Sequence, residues 1–128
     1  MRIVLSIPPS LNNRMYRNMR LTKEYRWWKS EAAQTIARQV ERYHPEGPCN
    51  ARFAVGVDLY WGDKRRRDID NFGKPILDAI TESEAVWLDD SQVDELSISR
   101  IEGHPDDIQM DANTAEIIIS VVGQLAPF

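Results

Sequence analysis

The sequence is poor in cysteine and has no long apolar run. A single thiol, Cys49, cannot build a disulfide framework or a four-ligand zinc site. The first apolar residues, 3–5, stop at Pro8, which is too short a run for a signal peptide, and no later run approaches the ~20 residues of a membrane span. These absences predict a soluble protein in a reducing, cytoplasmic setting, with no membrane partner.

Positive charge is also scarce overall. The 16 Lys and Arg residues face 20 Asp and Glu, and the net charge of −4 argues weakly against a nucleic-acid partner. The distribution of charge along the chain changes that inference. All basic residues except Arg100 lie in residues 1–74, which carry a net charge of +7, whereas residues 75–128 carry −11. The asymmetry indicates a polyanion-facing side. The alternative is that both ends form strands of one sheet and their charges mix on a solvated surface.

The hydrophobic pattern of the first half predicts a strand, a helix and a second strand. Residues 2–7 are typical of a short strand, and a Pro- and Asn-rich loop follows to about residue 20. Thr22 is a plausible N-cap for an amphipathic helix, whose apolar stripe runs at three- and four-residue steps from Tyr25 to Tyr43 and ends at His44. Apolar residues then alternate with other residues from 53 to 61, as in a strand with one buried face.

The second half predicts a helix and two more strands. Pro75 must fall in the first turn of the helix, which begins between Asn71 and Lys74 and ends near Ser83. Strands follow at 93–101 and 114–122, separated by a polar loop. The order β-α-β-α-β-β over residues 1–128 predicts a single α+β domain in which two helices pack on a four-stranded mixed sheet.

The segment most suggestive of chemistry joins a run of cations to a pair of carboxylates. Residues 64–67 are Lys-Arg-Arg-Arg, and Asp68 and Asp70 follow at once. In an extended backbone these carboxylates point to one side, with Ile69 toward the core, and hard divalent ions such as Mg²⁺ favour such oxygen ligands. The paired aspartates 89 and 90 lie where a short helical return can bring them beside the start of the second helix.

For Asp-x-Asp alone, a turn or a helix N-cap is the simpler interpretation. It does not explain the arginines. A polyanion clamp beside a hard-metal site is what phosphodiester hydrolysis requires.

These motifs resemble the RusA family of Holliday junction resolvases. The resemblance rests on Arg65-Arg66-Arg67-Asp68-Ile69-Asp70-Asn71 with Lys74, on Leu77-Asp78-Ala79-Ile80-Thr81, on Trp87-Leu88-Asp89-Asp90-Ser91-Gln92-Val93, and on the opening Pro8-Pro9-Ser10-Leu11-Asn12-Asn13-Arg14-Met15-Tyr16-Arg17. It implies a homodimeric, Mg²⁺-dependent endodeoxyribonuclease of bacteria and phages. Such an enzyme binds branched, four-way DNA and nicks two opposing strands symmetrically during recombination and repair. Mn²⁺ is an alternative ion.

The resemblance also implies site residues. The metal-binding and catalytic carboxylates fall on Asp68, Asp70 and Asp90, with Asp89 as the alternative for the third, and the catalytic lysine falls on Lys74. Lys74 is expected to reach the scissile phosphate, or else to pair with the carboxylates in the metal-free protein. DNA phosphates are expected to contact a set of cations: Arg65, Arg66, Arg67, Lys74, Arg14 and Arg17.

Other residues are expected to be structural. Trp28 belongs to the core stripe, Trp27 lies outside it, and Trp87 is expected to anchor the aspartate loop. His104 and the acidic residues Asp106, Asp107 and Asp111 are expected to be solvated loop residues. Two rival functions stay open: a nuclease with broader preference for flaps or forks, and a non-catalytic DNA-binding module.

Overall fold

The computed structural model describes residues 1–10, 21–102 and 113–124. The regular elements, in chain order, are β1 (Arg2–Ser6), α1 (Lys23–Val40), β2 (Ala51–Tyr60), a 3-10 helix (Ile69–Phe72), α2 (Gly73–Ser83), a second 3-10 helix (Asp90–Gln92), β3 (Val93–Ile101) and β4 (Thr114–Gln124). The predicted α+β class and the order β-α-β-α-β-β are confirmed.

The four strands form one mixed sheet in the order β1-β4-β2-β3. Strand β4 is antiparallel to both of its neighbours, whereas β2 and β3 are parallel and are joined through α2. A parallel pair needs such a crossover connection, and here the crossover carries most of the candidate site residues. The free edge of β1 is closed by Gln39 of α1, whose side-chain amide pairs with both the N–H and the C=O of Val4 at 2.8 Å.

The helix α1 begins and packs as its apolar stripe predicts. Thr22 is the N-cap, and its hydroxyl accepts from the backbone N–H of Tyr25 at 3.2 Å. Trp28 is buried and donates its indole N–H to the carbonyl of Ser6, while Trp27 is 68% exposed, as expected. The helix ends at Val40, so the prediction that its stripe reaches Tyr43 is wrong. Residues 41–43 form a turn, and Tyr43 is 57% exposed.

The core lies between the sheet and the two helices. Alternate residues of β2 are fully buried from Phe53 to Leu59, and they face the apolar side of α2, centred on Ile76 and Ile80. Pro75 lies in the first turn of α2, as predicted. A Cβ atom on Gly73 would come within 2.8 Å of Ile98 Cδ1, so glycine allows α2 to begin close against β3.

One local prediction is wrong. Asp68 has an extended backbone, but the chain turns at once into a 3-10 helix that contains both Ile69 and Asp70. The alternation of a strand therefore does not apply to this pair. Ile69 does pack against the core, which is what sets the turn. The expected core packing of Ile69 is confirmed and the extended backbone is not.

Several expectations fall on residues outside the described ones, namely those for Arg14, Arg17, His104, Asp106, Asp107 and Asp111. They stay predictions. Within the described part of the chain, no helix combines the length and the apolar character needed to cross a bilayer.

Candidate active site

The basic segment, residues 64–67, follows β2, and one of its arginines forms an ion pair within the protein. Arg67 forms two hydrogen bonds with the carboxylate of Asp63, at 2.6 and 3.0 Å. That contact, together with the backbone N–H of Arg65 on the same carboxylate, holds the pKa of Asp63 well below its usual range. The predicted role of Arg67 as a phosphate contact stays a prediction, and in this structure the residue shapes the loop.

Trp61 and Arg100 hold the other side of the basic segment. The guanidinium carbons of Arg67 and Arg100 lie 4.7 and 5.1 Å from the centre of the Trp61 ring. Arg100, from the end of β3, also donates to the backbone carbonyls of Arg65 and Asp63, at 2.6 and 3.0 Å. A residue 35 positions away thus fixes the path of the basic segment.

The remaining cations of the segment point to solvent. Lys64, Arg65 and Arg66 are exposed, and within residues 1–10, 21–102 and 113–124 their side chains make no hydrogen bond or ion pair. Exposed cations with no carboxylate partner are available to an external polyanion. Of the predicted DNA contacts, Arg65 and Arg66 therefore have the geometry that the prediction needs.

Asp68 and Asp70 are also exposed. Asp68 occupies the N-cap position of the 3-10 helix but its side chain makes no capping bond, so the N-cap interpretation of this residue is not what the structure has. Within the described residues, neither carboxylate has a hydrogen-bond or ion-pair partner. Two carboxylates without protein partners, two residues apart, are open to a ligand from solution.

The two aspartates at 89 and 90 have different partners. Asp89 caps the second 3-10 helix: its carboxylate accepts from the N–H of Ser91 at 3.0 Å. Hydrogen bonds from Ser91, that of its side chain first and that of its backbone second, lower the pKa of Asp89. Asp90 instead contacts Lys74 Nζ through Oδ2 at 3.1 Å. Asp89 thus has a structural task, whereas Asp90 faces the start of α2, the position expected of the aspartate loop.

Lys74 bridges two carboxylates. Its Nζ lies 2.8 Å from Asp78 Oδ1, one turn along α2, and 3.1 Å from Asp90 Oδ2. The two contacts, that with Asp78 first, raise the pKa of Lys74. Because the side chain is largely exposed, Lys74 can exchange these partners for a phosphate at low cost. The ion-pair alternative for Lys74 is what this structure contains, and its contact with phosphate stays a prediction.

A buried amide and a buried indole hold the aspartate loop in place. The Gln92 side chain donates to the carbonyls of Cys49 and Ala51, both at 2.9 Å, and accepts from the N–H groups of Leu88 and Asp89.

Trp87 is fully buried, lies against Phe53 and donates its indole N–H to Thr81 Oγ1 at 2.7 Å. The predicted anchoring role of Trp87 is confirmed.

The predicted metal ligands are not gathered in one place. Within the described residues, no three His, Cys, Asp or Glu side chains lie close enough together to hold a metal ion. The donor chemistry fits a hard divalent ion, since Asp68, Asp70 and Asp90 offer carboxylate oxygens and the first two have no protein partner. The ligand assignment stays a prediction, and it requires these carboxylates to come closer together.

Sequence reasoning missed the residues that organise the site. Asp63, Trp61 and Arg100 hold the basic segment, and Asp78 shares Lys74 with Asp90. Only the Lys74–Asp78 contact had a usable signal, because residues four apart on a helix are neighbours. The partners of Arg100 lie 35 and 37 positions away, and no local pattern connects them.

Comparison with known proteins identifies the family of the chain. The family model described as Endodeoxyribonuclease RusA matches residues 6–120. The crossover junction endodeoxyribonuclease RusA of Escherichia coli strain K12 is 35% identical over 95 residues, covering 71% of this chain and 74% of the relative. A protein of the same name from Enterobacteria phage 82 is 35% identical over the same coverage, and one from Shigella sonnei strain Ss046 is 34% identical. These matches confirm the predicted family, and with it the expected enzyme class: the chain belongs to the RusA family of endodeoxyribonucleases.

Proposed function

We propose that this protein is a divalent-metal-dependent endonuclease that resolves four-way DNA junctions by paired nicks. The observation that carries the proposal lies in residues 65–70, where Arg65 and Arg66 lie beside the carboxylates of Asp68 and Asp70, and none of these four side chains has a partner among the described residues. The cations suit the phosphate backbone and the carboxylates suit a hard metal ion. The relatives named crossover junction endodeoxyribonuclease support branched DNA as the substrate.

The metal assignment follows from donor chemistry. Asp68, Asp70 and Asp90 would hold Mg²⁺, or Mn²⁺ as the alternative, and such an ion supplies charge for the scissile phosphate and a lowered pKa for bound water. Asp89 is the weaker candidate for the third ligand, because its carboxylate already caps the second 3-10 helix.

The protein groups have separate tasks. Arg65 and Arg66 bind phosphates that flank the cut, and the Asp63–Arg67 ion pair keeps the segment that carries them in one conformation. Lys74 places a point charge beside Asp90, where it stabilises negative charge on the reacting phosphate.

Paired nicks need two active centres, so we propose a homodimer acting on the DNA of a bacterial or phage-infected cell, in its cytoplasm. A four-way junction has approximate two-fold symmetry, which a two-fold dimer matches. Equilibrium sedimentation at micromolar concentration should give twice the chain mass. A monomer that still makes paired nicks would remove the dimer from the proposal.

Asp70→Asn tests the catalytic claim. The substitution removes a carboxylate charge without removing a cation, so we expect nicking of a synthetic four-way junction in Mg²⁺ to be lost while binding is retained. Glu95→Gln, which removes an exposed charge on β3, is the matched control and should nick normally. Full nicking by Asp70→Asn, or nicking by the parent protein in excess chelator, would contradict the metal site.

The rival functions are distinguished by substrate. Equal cleavage of junctions, flaps and forks by the parent protein would favour the broader nuclease. Tight junction binding with no cleavage in Mg²⁺ or Mn²⁺ would favour the non-catalytic DNA-binding module.

A further inference from the structure

A cleft lies on the β1 side of the basic segment. It has a volume of about 700 Å³, within the range of roughly 300–1,000 Å³ typical of ligand pockets. All three arginines of the basic segment line it, together with Asp68, Pro8 and Asn113. Of the predicted site residues that the structure describes, only the arginines and Asp68 contribute to it, so it extends the proposed active site toward the end of β1.

The chemistry of the walls specifies a ligand class. Arg67 is paired with Asp63, which leaves the guanidinium groups of Arg65 and Arg66 against one carboxylate, that of Asp68, and this balance favours an anion. Pro8, Trp61 and Phe72 add an apolar part, which suits a flat ring. A ligand that combines phosphate charge with an apolar ring is a nucleotide, and basic grooves lined with aromatic groups are how proteins hold unpaired strands.

Asn113 adds a directed donor to this cleft. Its backbone carbonyl accepts from the N–H of Ile7 at 3.0 Å, and its side-chain oxygen accepts from the N–H of Gly62 at 3.3 Å. The amide NH₂ group is left without a partner among the described residues, and Asn113 is one of the residues that line the cleft. Asn113 also has a positive φ of 63°, a backbone conformation that Asn and Asp tolerate better than most residues.

We propose that this cleft receives one unstacked nucleotide of the cleaved strand, next to the scissile phosphate, and that the amide NH₂ of Asn113 donates to it. The inference rests on the proposed function, because Asp68 belongs both to the cleft and to the proposed metal site. It assigns to Asn113 a DNA contact outside the motifs that carry the family resemblance.

Asn113→Asp isolates this contact. Aspartate keeps the acceptor for Gly62 and tolerates the positive φ, but it replaces the NH₂ donor with a charged oxygen that repels phosphate. Binding and nicking of a four-way junction should fall by about tenfold or more, since hydrogen bonds to charged groups are among the stronger ones. Ser120→Asp adds the same charge to an exposed residue of β4 and should leave both unchanged.

A second measurement reports the nucleotide directly. In the Asp70→Asn background, a junction with 2-aminopurine beside the expected cut should brighten on binding, because unstacking relieves quenching. Adding Asn113→Asp should abolish the increase at a protein concentration that saturates the junction.

The outcomes separate the two proposals. If the parent protein nicks junctions and Asn113→Asp nicks equally well, the cleft proposal is wrong and the proposed function stands. If 2-aminopurine stays quenched at every position near the branch point, the cleft does not take an unstacked nucleotide of the substrate. A parent protein that neither binds nor nicks junctions overturns both.

Discussion

Gln92 offers the sharpest test of how the site is built, because one side chain holds the aspartate loop through four hydrogen bonds. Gln92→Met keeps an unbranched side chain of similar length but removes every donor and acceptor. It leaves the carbonyls of Cys49 and Ala51 and the N–H groups of Leu88 and Asp89 without their partner. The residue is only 4% exposed, so water replaces the lost bonds poorly.

The expected size of the effect follows from counting these bonds. A net contribution of about 0.5–1.5 kcal/mol for each bond gives a loss of roughly 4 kcal/mol in the free energy of unfolding. For a chain of 128 residues this corresponds to a fall in Tm of roughly 15 °C. Gln39→Met is the matched control, because Gln39 makes two such bonds with Val4 and should cost about half as much.

Urea unfolding followed by tryptophan fluorescence measures both losses, and the denaturant dependence of the free energy should stay constant. Gln92→Glu adds a pH test. Its carboxylate would face two carbonyl oxygens, which raises the pKa of the new side chain above its unfolded value. Destabilisation is then largest above the raised pKa and shrinks as the pH falls and the carboxyl becomes a donor. A loss for Gln92→Met below about 1 kcal/mol, or no larger than that for Gln39→Met, would refute the reasoning.

Two further predictions concern the basic segment. Arg65→Gln and Arg66→Gln should each reduce the slope of log affinity against log salt by about one, whereas Arg67→Gln should leave the slope and lower the nicking rate; an equal change in slope for all three would contradict the division of roles. The pKa of Asp63, followed by carboxyl-carbon NMR, should lie well below the ordinary value and rise in Arg67→Gln, though not fully, since the N–H of Arg65 still donates. Because that pKa is depressed, the Asp63–Arg67 contact is intact above the ordinary carboxyl range and is lost only as the pH falls through the depressed value. No rise in Arg67→Gln would mean that the ion pair is absent in solution.

Periodic patterns predicted the fold well because burial is periodic. Each of these features depends only on residues within one element. They are the apolar stripe of α1, the alternation in β2 and the position of Pro75 in the first turn of α2. The prediction of extended backbone at residues 68–70 is wrong, because the 3-10 helix that begins at Ile69 has only four residues, too few for a periodic pattern to show. The end of α1 was misplaced because Tyr43 continues the spacing after the helix has stopped.

Only the exposed charged residues of the candidate site could be predicted from the sequence. Charged residues close together in sequence, such as Arg66 and Asp68, could be predicted as part of the site, because their short separation keeps them near each other in any backbone. The residues that hold these charged groups in place could not be predicted, since Arg100 reaches the basic segment across 35 positions and Gln92 reaches Cys49 across 43. Such contacts exist only once β2 and β3 are paired, so the sheet must form before the site has a shape.

This dependence bears on how the carboxylates come together. The Gln92 amide ties the loop that carries Asp90 to the start of β2. Arg100, at the other end of β3, holds the basic segment. Asp68, at the N-cap of the short 3-10 helix, and Asp70, within it, lie between these supports, and their side chains have no partner among the described residues. The sheet therefore fixes the two ends of the site, and in the proposed function Asp68 and Asp70, which have the fewest contacts, are the carboxylates that would move. Closing the proposed metal site would break few existing bonds, and the main one is the contact of Lys74 with Asp90, an exposed ion pair of the kind that contributes little to stability.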